Sequence, residues 1–213
     1  MIEAILFDLD GTLSDTESVT TKVFSAVCKM YGIEVSLEER LKLLGRTDRE
    51  LYTSFFKEKD IAIDPEEALK KHETMYETML RENEYLFPGV SDMLQSLCED
   101  GYVLAIVSGS THKQINYVLK QHIRLFKIVT SCEDIKNSKP DPESYLRTVD
   151  LLNMAPNQCV AVEESAFGIQ SAKAAGIKVI GVVNLGGQDI TKADTRIENI
   201  VDLPGVLQNN LTA

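Results

Sequence analysis

The 213 residues contain only three histidines and four cysteines, and neither type is grouped. Cys28, Cys98, Cys132 and Cys159 stand far apart with no C-x-x-C pair, so the chain lacks zinc-ligand spacing and a disulfide framework. Buried small hydrophobes are the expected role of all four. Basic residues are also few: 22 Lys and Arg against 33 Asp and Glu give a net charge of −11. A nucleic acid or an anionic membrane surface would need a basic patch, and neither is an expected partner. A phosphorylated small molecule stays open, because a metal ion and a few placed cations reverse the field locally. No apolar run approaches the roughly 20 residues of a membrane span. The start, MIEAILFDLDG, lacks the basic opening and cleavage site of a signal peptide, which makes the cytoplasm the expected location.

What is present is an ordinary globular composition, 44% apolar and 26% charged, in a chain long enough for one large domain or two modest ones. AILF, residues 4–7, is a continuous apolar run of the kind covered on both faces of a sheet. Asp8 and Asp10 follow directly, before Gly11 and Thr12. Alternate residues of an extended segment point to one side, so both carboxylates project together from the strand's carboxyl end. Like charges that close need a cation between them or a proton on one of them.

After residue 14 the pattern turns helical. Val19, Val23, Val27 and Met30 recur at helical spacing up to Gly32. Further helices are predicted over 37–43, after Thr47 with Leu51 and Phe55 as its apolar face, and from about 65 to 81, with His72 as a packed helix residue. From Pro88 strands and helices alternate: helix at 90–97, strand at 102–108, helix at 111–121, strand at 128–131, helix at 142–152, strand at 159–163, helix at 167–175 and strand at 178–183. This order predicts an α/β fold, a Rossmann-like parallel sheet covered on both faces. The core is then discontinuous, 1–14 with 86–213, and 15–85 is an inserted all-helical domain.

Ligands of open parallel sheets bind outside the carboxyl ends of the strands. Those ends here carry Asp8-Leu9-Asp10-Gly11-Thr12, Ser108-Gly109-Ser110, Lys139-Pro140-Asp141-Pro142 and Glu163-Glu164-Ser165. Singly, each has a plain structural explanation as turn, helix cap or solvated acids. Together they supply carboxylates for a hard cation, a lysine, and backbone N–H groups at helix starts, which is the material of a phosphate site.

The ordered set resembles the haloacid dehalogenase superfamily, in its phosphatase and β-phosphoglucomutase-like branch with a helical cap. FDLDGT is similar to the first motif, VSGS to the second, SKPDP to the third and VEES to the fourth, and the likeness spans essentially the whole chain. The resemblance implies Mg²⁺-dependent phosphoryl transfer through an aspartyl-phosphate. By it, Asp8 is the nucleophile and Asp10 the general acid and base. Ser108, Gly109, Lys139 and the backbone of Leu9 hold the phosphoryl oxygens. Mg²⁺ takes the Asp8 carboxylate, the Asp10 carbonyl and an acid of the fourth motif. The family has Glu-Asp where this chain has Glu163-Glu164, so Glu164 takes the ligand position with one extra methylene, and Glu163 lies behind it or shares the task.

In this branch the cap reads the leaving group, which makes Thr16, Gly45, Arg46, Thr47 and Arg49 the candidate specificity residues. A solvated helix start is the competing explanation for the arginines. The mutases carry a histidine and a glutamate on the helix after the first motif, where this chain has Thr20 and Ser18. Hydrolysis of a small phosphomonoester, a sugar phosphate or a phosphoglycolate-like metabolite, is therefore expected over phosphoryl transfer to a sugar. A catalytically silent binding protein of the same fold is disfavoured by Asp8, Asp10, Ser108 and Lys139 all being in place. A monomer suits a cap that must open and close.

Overall fold

Strand β1, Ala4–Phe7, is buried along its whole length, and every residue of it pairs with a neighbour on each side. In the computed structural model, which describes residues 1–36, 38–39, 48–183 and 187–210, it is the central strand of a six-stranded sheet. The others are β2 (Val103–Val107), β3 (Phe126–Thr130), β4 (Cys159–Glu163), β5 (Lys178–Val182) and β6 (Thr195–Ile197). The order is β3-β2-β1-β4-β5-β6, with every pairing parallel. Strand order reverses on the two sides of β1, so its carboxyl end is the crevice where such sheets bind ligands.

The chain divides into two compact units, Met1–Ser14 with Leu86–Ala213, and Asp15–Tyr85. The second unit contains the helices α1 (Thr16–Met30), α2 (Asp48–Glu58) and α3 (Pro65–Glu82). The first carries α4 (Val90–Glu99), α5 (His112–Leu119), α6 (Glu143–Leu152), α7 (Ala166–Ala174) and α8 (Leu203–Asn210). None of the described helices is long and apolar enough to cross a membrane.

One face of the sheet presents Ala4, Leu6, Ala105, Val107, Cys159 and Ala161 to Tyr145 and Val149 of α6 and Ile169 and Ala172 of α7. The alternation that puts Ala4 and Leu6 on this face brings Asp8 to it next. The same count along β4 takes Cys159 and Ala161 to Glu163.

The sequence pattern places most elements within two residues of the structure, and the departures have local causes. β3 begins at Phe126, two residues before its expected start, because Phe126 pairs with Leu104 of β2; its ring packs edge-on against Phe7 at 6.4 Å. Asp141 does not itself precede α6; Pro142 does, while the Asp141 carboxylate still accepts the Glu143 N–H. β6 and α8 were not expected from the sequence. The helix expected over 37–43 lies largely outside the described residues. All four thiols are free; Cys28 and Cys159 are buried as expected, but Cys98 and Cys132 are partly exposed.

In the helical unit, Phe24, Tyr52, Phe55 and Phe56 form an aromatic core that continues through His72 to Tyr76. His72 is fully buried, and its Nδ1 lies 3.0 Å from the Tyr52 hydroxyl. Burial lowers its pKa from 6.5 to about 4, with Glu73 opposing, so the folded unit holds the ring neutral. The unfolded chain takes up that proton first, so this contribution to stability is complete above pH 6.5 and is lost as pH falls towards 4. Wild type should lose about 3 kcal/mol more than His72→Gln between pH 7 and pH 4. Denaturant melts followed by circular dichroism check this, and parallel losses in the two proteins refute it.

Candidate active site

The register of the sheet builds the site. Phe7 pairs with Ile106 on one side and Val162 on the other, so Asp8, one residue on, stands level with Val107 and Glu163. Its N–H is bound by the Val162 carbonyl at 3.0 Å, and its side chain is buried. The chain then turns sharply. Gly11 adopts φ +84° and donates to the Ser14 carbonyl, while Leu13 and Ser14 both donate to the Leu9 carbonyl. That turn buries Leu9 and brings the Thr12 hydroxyl back towards the strand ends.

Lys139 enters from the loop before α6 and places its ammonium among three acceptors. These are Asp8 Oδ1 at 2.7 Å, Glu163 Oε1 at 2.6 Å and the Val107 carbonyl at 2.9 Å. An ammonium has three N–H bonds, so all are satisfied. Tyr145, reaching up from α6, donates to the same Glu163 oxygen at 2.6 Å, and Ser165 donates to its Oε2 at 3.2 Å. Gly168, in the first turn of α7, lies against this carboxylate, and a Cβ there would overlap it. Glu163 is thus wholly buried and fixed from four sides. Glu164 is 6% exposed and accepts a 2.5 Å hydrogen bond from Thr12.

Asp10 lies on the other side of Asp8. Its Oδ2 accepts from Ser108 at 3.0 Å and from Ser110 at 2.8 Å, and the Ser110 N–H donates to Ser108 Oγ at 2.9 Å. Ser108 is buried, whereas Gly109 beside it is exposed at the tip of the loop. The structure therefore gathers Asp8, Asp10, Ser108, Glu163 and Glu164 from the ends of β1, β2 and β4, and Lys139 from the loop before α6.

The cap candidates divide differently. Thr16 is buried at the start of α1. Arg49 is exposed and ion-paired with Glu66 of the same helical unit. Gly45, Arg46 and Thr47 lie outside the described residues. Thr12, Ser110, Tyr145, Ser165 and Gly168 belong to the cluster but were not among the candidates. Thr12, Ser110 and Ser165 carried a sequence signal, as neighbours of motif acids or hydroxyls, and Tyr145 and Gly168 did not.

The electrostatics of the cluster are unbalanced. One ligand atom each from Asp8, Glu163 and Glu164 lies within 4.8 Å of the other two, with one ammonium beside them. Burial pushes the Asp8 carboxyl up to about 7, with Glu163 and Asp10 adding to the rise and Lys139 opposing it. Burial also holds Glu164 well above the usual carboxylate range, aided by Asp8 and Glu163. Asp8 Oδ2 is buried, and no donor among the described residues reaches it. An unsatisfied buried carboxylate oxygen inside an acidic cluster fits a hard divalent cation, which would supply the missing partner and the missing charge.

The profile of the haloacid dehalogenase-like hydrolases matches residues 5–182. The chain belongs to that family. A phosphorylated carbohydrates phosphatase of Thermotoga maritima is 30% identical over 190 residues, 86% of each chain. A bifunctional riboflavin kinase/FMN phosphatase of Arabidopsis thaliana is 27% identical over 204 residues; 93% of this chain matches, but only 54% of that protein is covered. Among solved structures, CbbY from Rhodobacter sphaeroides in complex with phosphate superposes with a TM-score of 0.81 at 24% identity, over 95% of this chain and 96% of that one. As a haloacid dehalogenase-like hydrolase, the chain combines a Rossmann-like parallel sheet with its polar cluster at the switch in strand order.

Proposed function

We propose that this protein hydrolyses a small phosphomonoester, a phosphorylated sugar or phosphoglycolate-like metabolite, with Mg²⁺ and through an aspartyl-phosphate on Asp8. That it is a phosphoric monoester hydrolase follows from its family and from relatives that are phosphatases. The sugar-phosphate class rests on the phosphorylated carbohydrates phosphatase. The observation that carries the mechanism is the state of Asp8, whose Oδ1 is held by Lys139 while its buried Oδ2 meets no donor among the described residues.

Mg²⁺, when bound, neutralises charge on the carboxylates and on the phosphoryl group. Asp8, the Asp10 carbonyl and Glu164 would hold it. Glu163 stands behind them, because Lys139, Tyr145 and Ser165 already occupy its two oxygens. Asp8 attacks phosphorus as its carboxylate, the form that Lys139 favours, and needs orientation more than deprotonation. Lys139 exchanges Asp8 Oδ1 for a phosphoryl oxygen as the bond forms, and Ser108 with the backbone of Leu9 and Gly109 holds the others. Asp10 gives its proton to the leaving oxygen and later takes one from the water that hydrolyses the intermediate. The helical unit, residues 15–85, acts as the cap that selects the leaving group.

The test is phosphate release from a panel of phosphorylated metabolites with and without Mg²⁺, including β-glucose 1-phosphate and glucose 6-phosphate. Metal-dependent release from one or a few esters is expected. Interconversion of the two glucose phosphates without release would replace the hydrolase reading with a mutase. Asp10→Asn should slow release by about 10²- to 10⁴-fold. An unchanged rate would remove Asp10 from the chemistry.

A further inference from the structure

We infer that Thr12 is a positioning residue, whose hydroxyl fixes Glu164 as the metal-directed member of the Glu163-Glu164 pair. The inference rests on the metal reading above. Two adjacent glutamates at a strand end are chemically alike, and something must give them different tasks. For Glu163 the structure supplies Lys139, Tyr145 and Ser165 as donors and Gly168 as a close backbone wall, so that carboxylate has no room to swing. Glu164 has one more methylene than the aspartate it replaces, and one more torsion to be fixed before it can serve a cation that tolerates little misalignment. The donor it meets is Thr12 Oγ1, at 2.5 Å on Oε2, from 152 residues away.

Thr12 is suited to this task because its own position is fixed. It is fully buried, in the turn closed by Gly11 to Ser14 and by Leu13 and Ser14 to Leu9. A β-branched hydroxyl has few rotamers to lose, and hydroxyl-to-carboxylate bonds are strong when buried. Thr12 thereby holds the carboxylate that brings a ligand atom into the cluster with Asp8 and Glu163. Partners of this outer kind typically carry 10- to 100-fold in metal affinity.

The experiment is calorimetric titration of Mg²⁺ alone into the intact protein, with Thr12→Val, Thr12→Ser, Glu164→Ala and the Thr12→Val/Glu164→Ala double variant. Thr12→Val keeps the shape and removes the donor, and should bind Mg²⁺ about 10- to 100-fold more weakly with an unchanged circular dichroism spectrum. Thr12→Ser should regain most of the loss, which a purely structural role for the threonine methyl would not give. In the Glu164→Ala background, Thr12→Val should add little, since its target is gone. Wild-type affinity in Thr12→Val would overturn the inference and leave the metal reading standing, as would an equal loss in both backgrounds. No Mg²⁺ binding by wild type would overturn both.

Discussion

Asp8→Asn is expected to abolish phosphate release, by about 10⁴-fold or more, and to leave the protein at least as stable as wild type. The loss of activity follows from the chemistry, since an amide is a poor nucleophile towards phosphorus and a poor ligand for a divalent cation. The stability expectation follows from the cluster. Asp8, Glu163 and Glu164 crowd three acids around one ammonium, and the Asp8 carboxyl is held up at about 7, chiefly by burial. Asparagine removes one of the crowded charges. It can turn its carbonyl to Lys139 and its NH₂ to the position of Asp8 Oδ2, which accepts from no donor among the described residues. Lys139 keeps Glu163 and the Val107 carbonyl.

Phosphate release and denaturant melts on one preparation check both halves. Turnover at the wild-type rate would defeat the mechanism outright. A clear loss of stability would mean that the Asp8–Lys139 contact outweighs repulsion among the acids, and that the site is not strained in favour of function.

Why the candidate acids were legible while their supports were not is a matter of range. β1 announces itself as four apolar residues ending in Asp8, because a strand buried on both faces needs no alternation. Lys139 and the glutamates follow the same logic, as charges placed where apolar strands or caps run out. Tyr145 gave no such signal. It sits among Val149 and the other apolar residues of a helix core, and its hydroxyl finds Glu163 only because α6 packs against β2 and β3 and beside α7. Thr12 likewise reads as a turn residue until the β1–β4 register brings Glu164 to it. β6 was missed because TRI is three residues with no apolar run, paired at the sheet edge through β5. Met30 closed a convincing helical stripe yet is 60% exposed, since the stripe outlasts the packing at the end of α1.

Lys139→Met should cost about 3–5 kcal/mol of stability as well as most of the activity, the opposite pattern to Asp8→Asn. The lysine side chain is 14% exposed, and its partners Asp8 and Glu163 are 10% and 0% exposed, so water replaces little of what is lost. Removing the cation leaves two buried carboxylates beside a third, with only the Tyr145 and Ser165 donors on Glu163 to offset the charge. Asp8 and Glu164, pushed up by burial and no longer opposed by the lysine, then fold best when protonated, so the deficit should shrink as pH falls from 8 towards 5, the sign expected when the folded state binds more protons than the unfolded one. Lys139→Arg should not restore stability or turnover. Three acceptors at 2.6, 2.7 and 2.9 Å are arranged around one nitrogen, which suits a tetrahedral ammonium and not a planar fork. Denaturant melts across this pH range, with Mg²⁺ absent, separate the outcomes. A deficit independent of pH would assign the loss to packing of the lysine stem, and full rescue by arginine would show that charge alone, without ammonium geometry, holds the acids together.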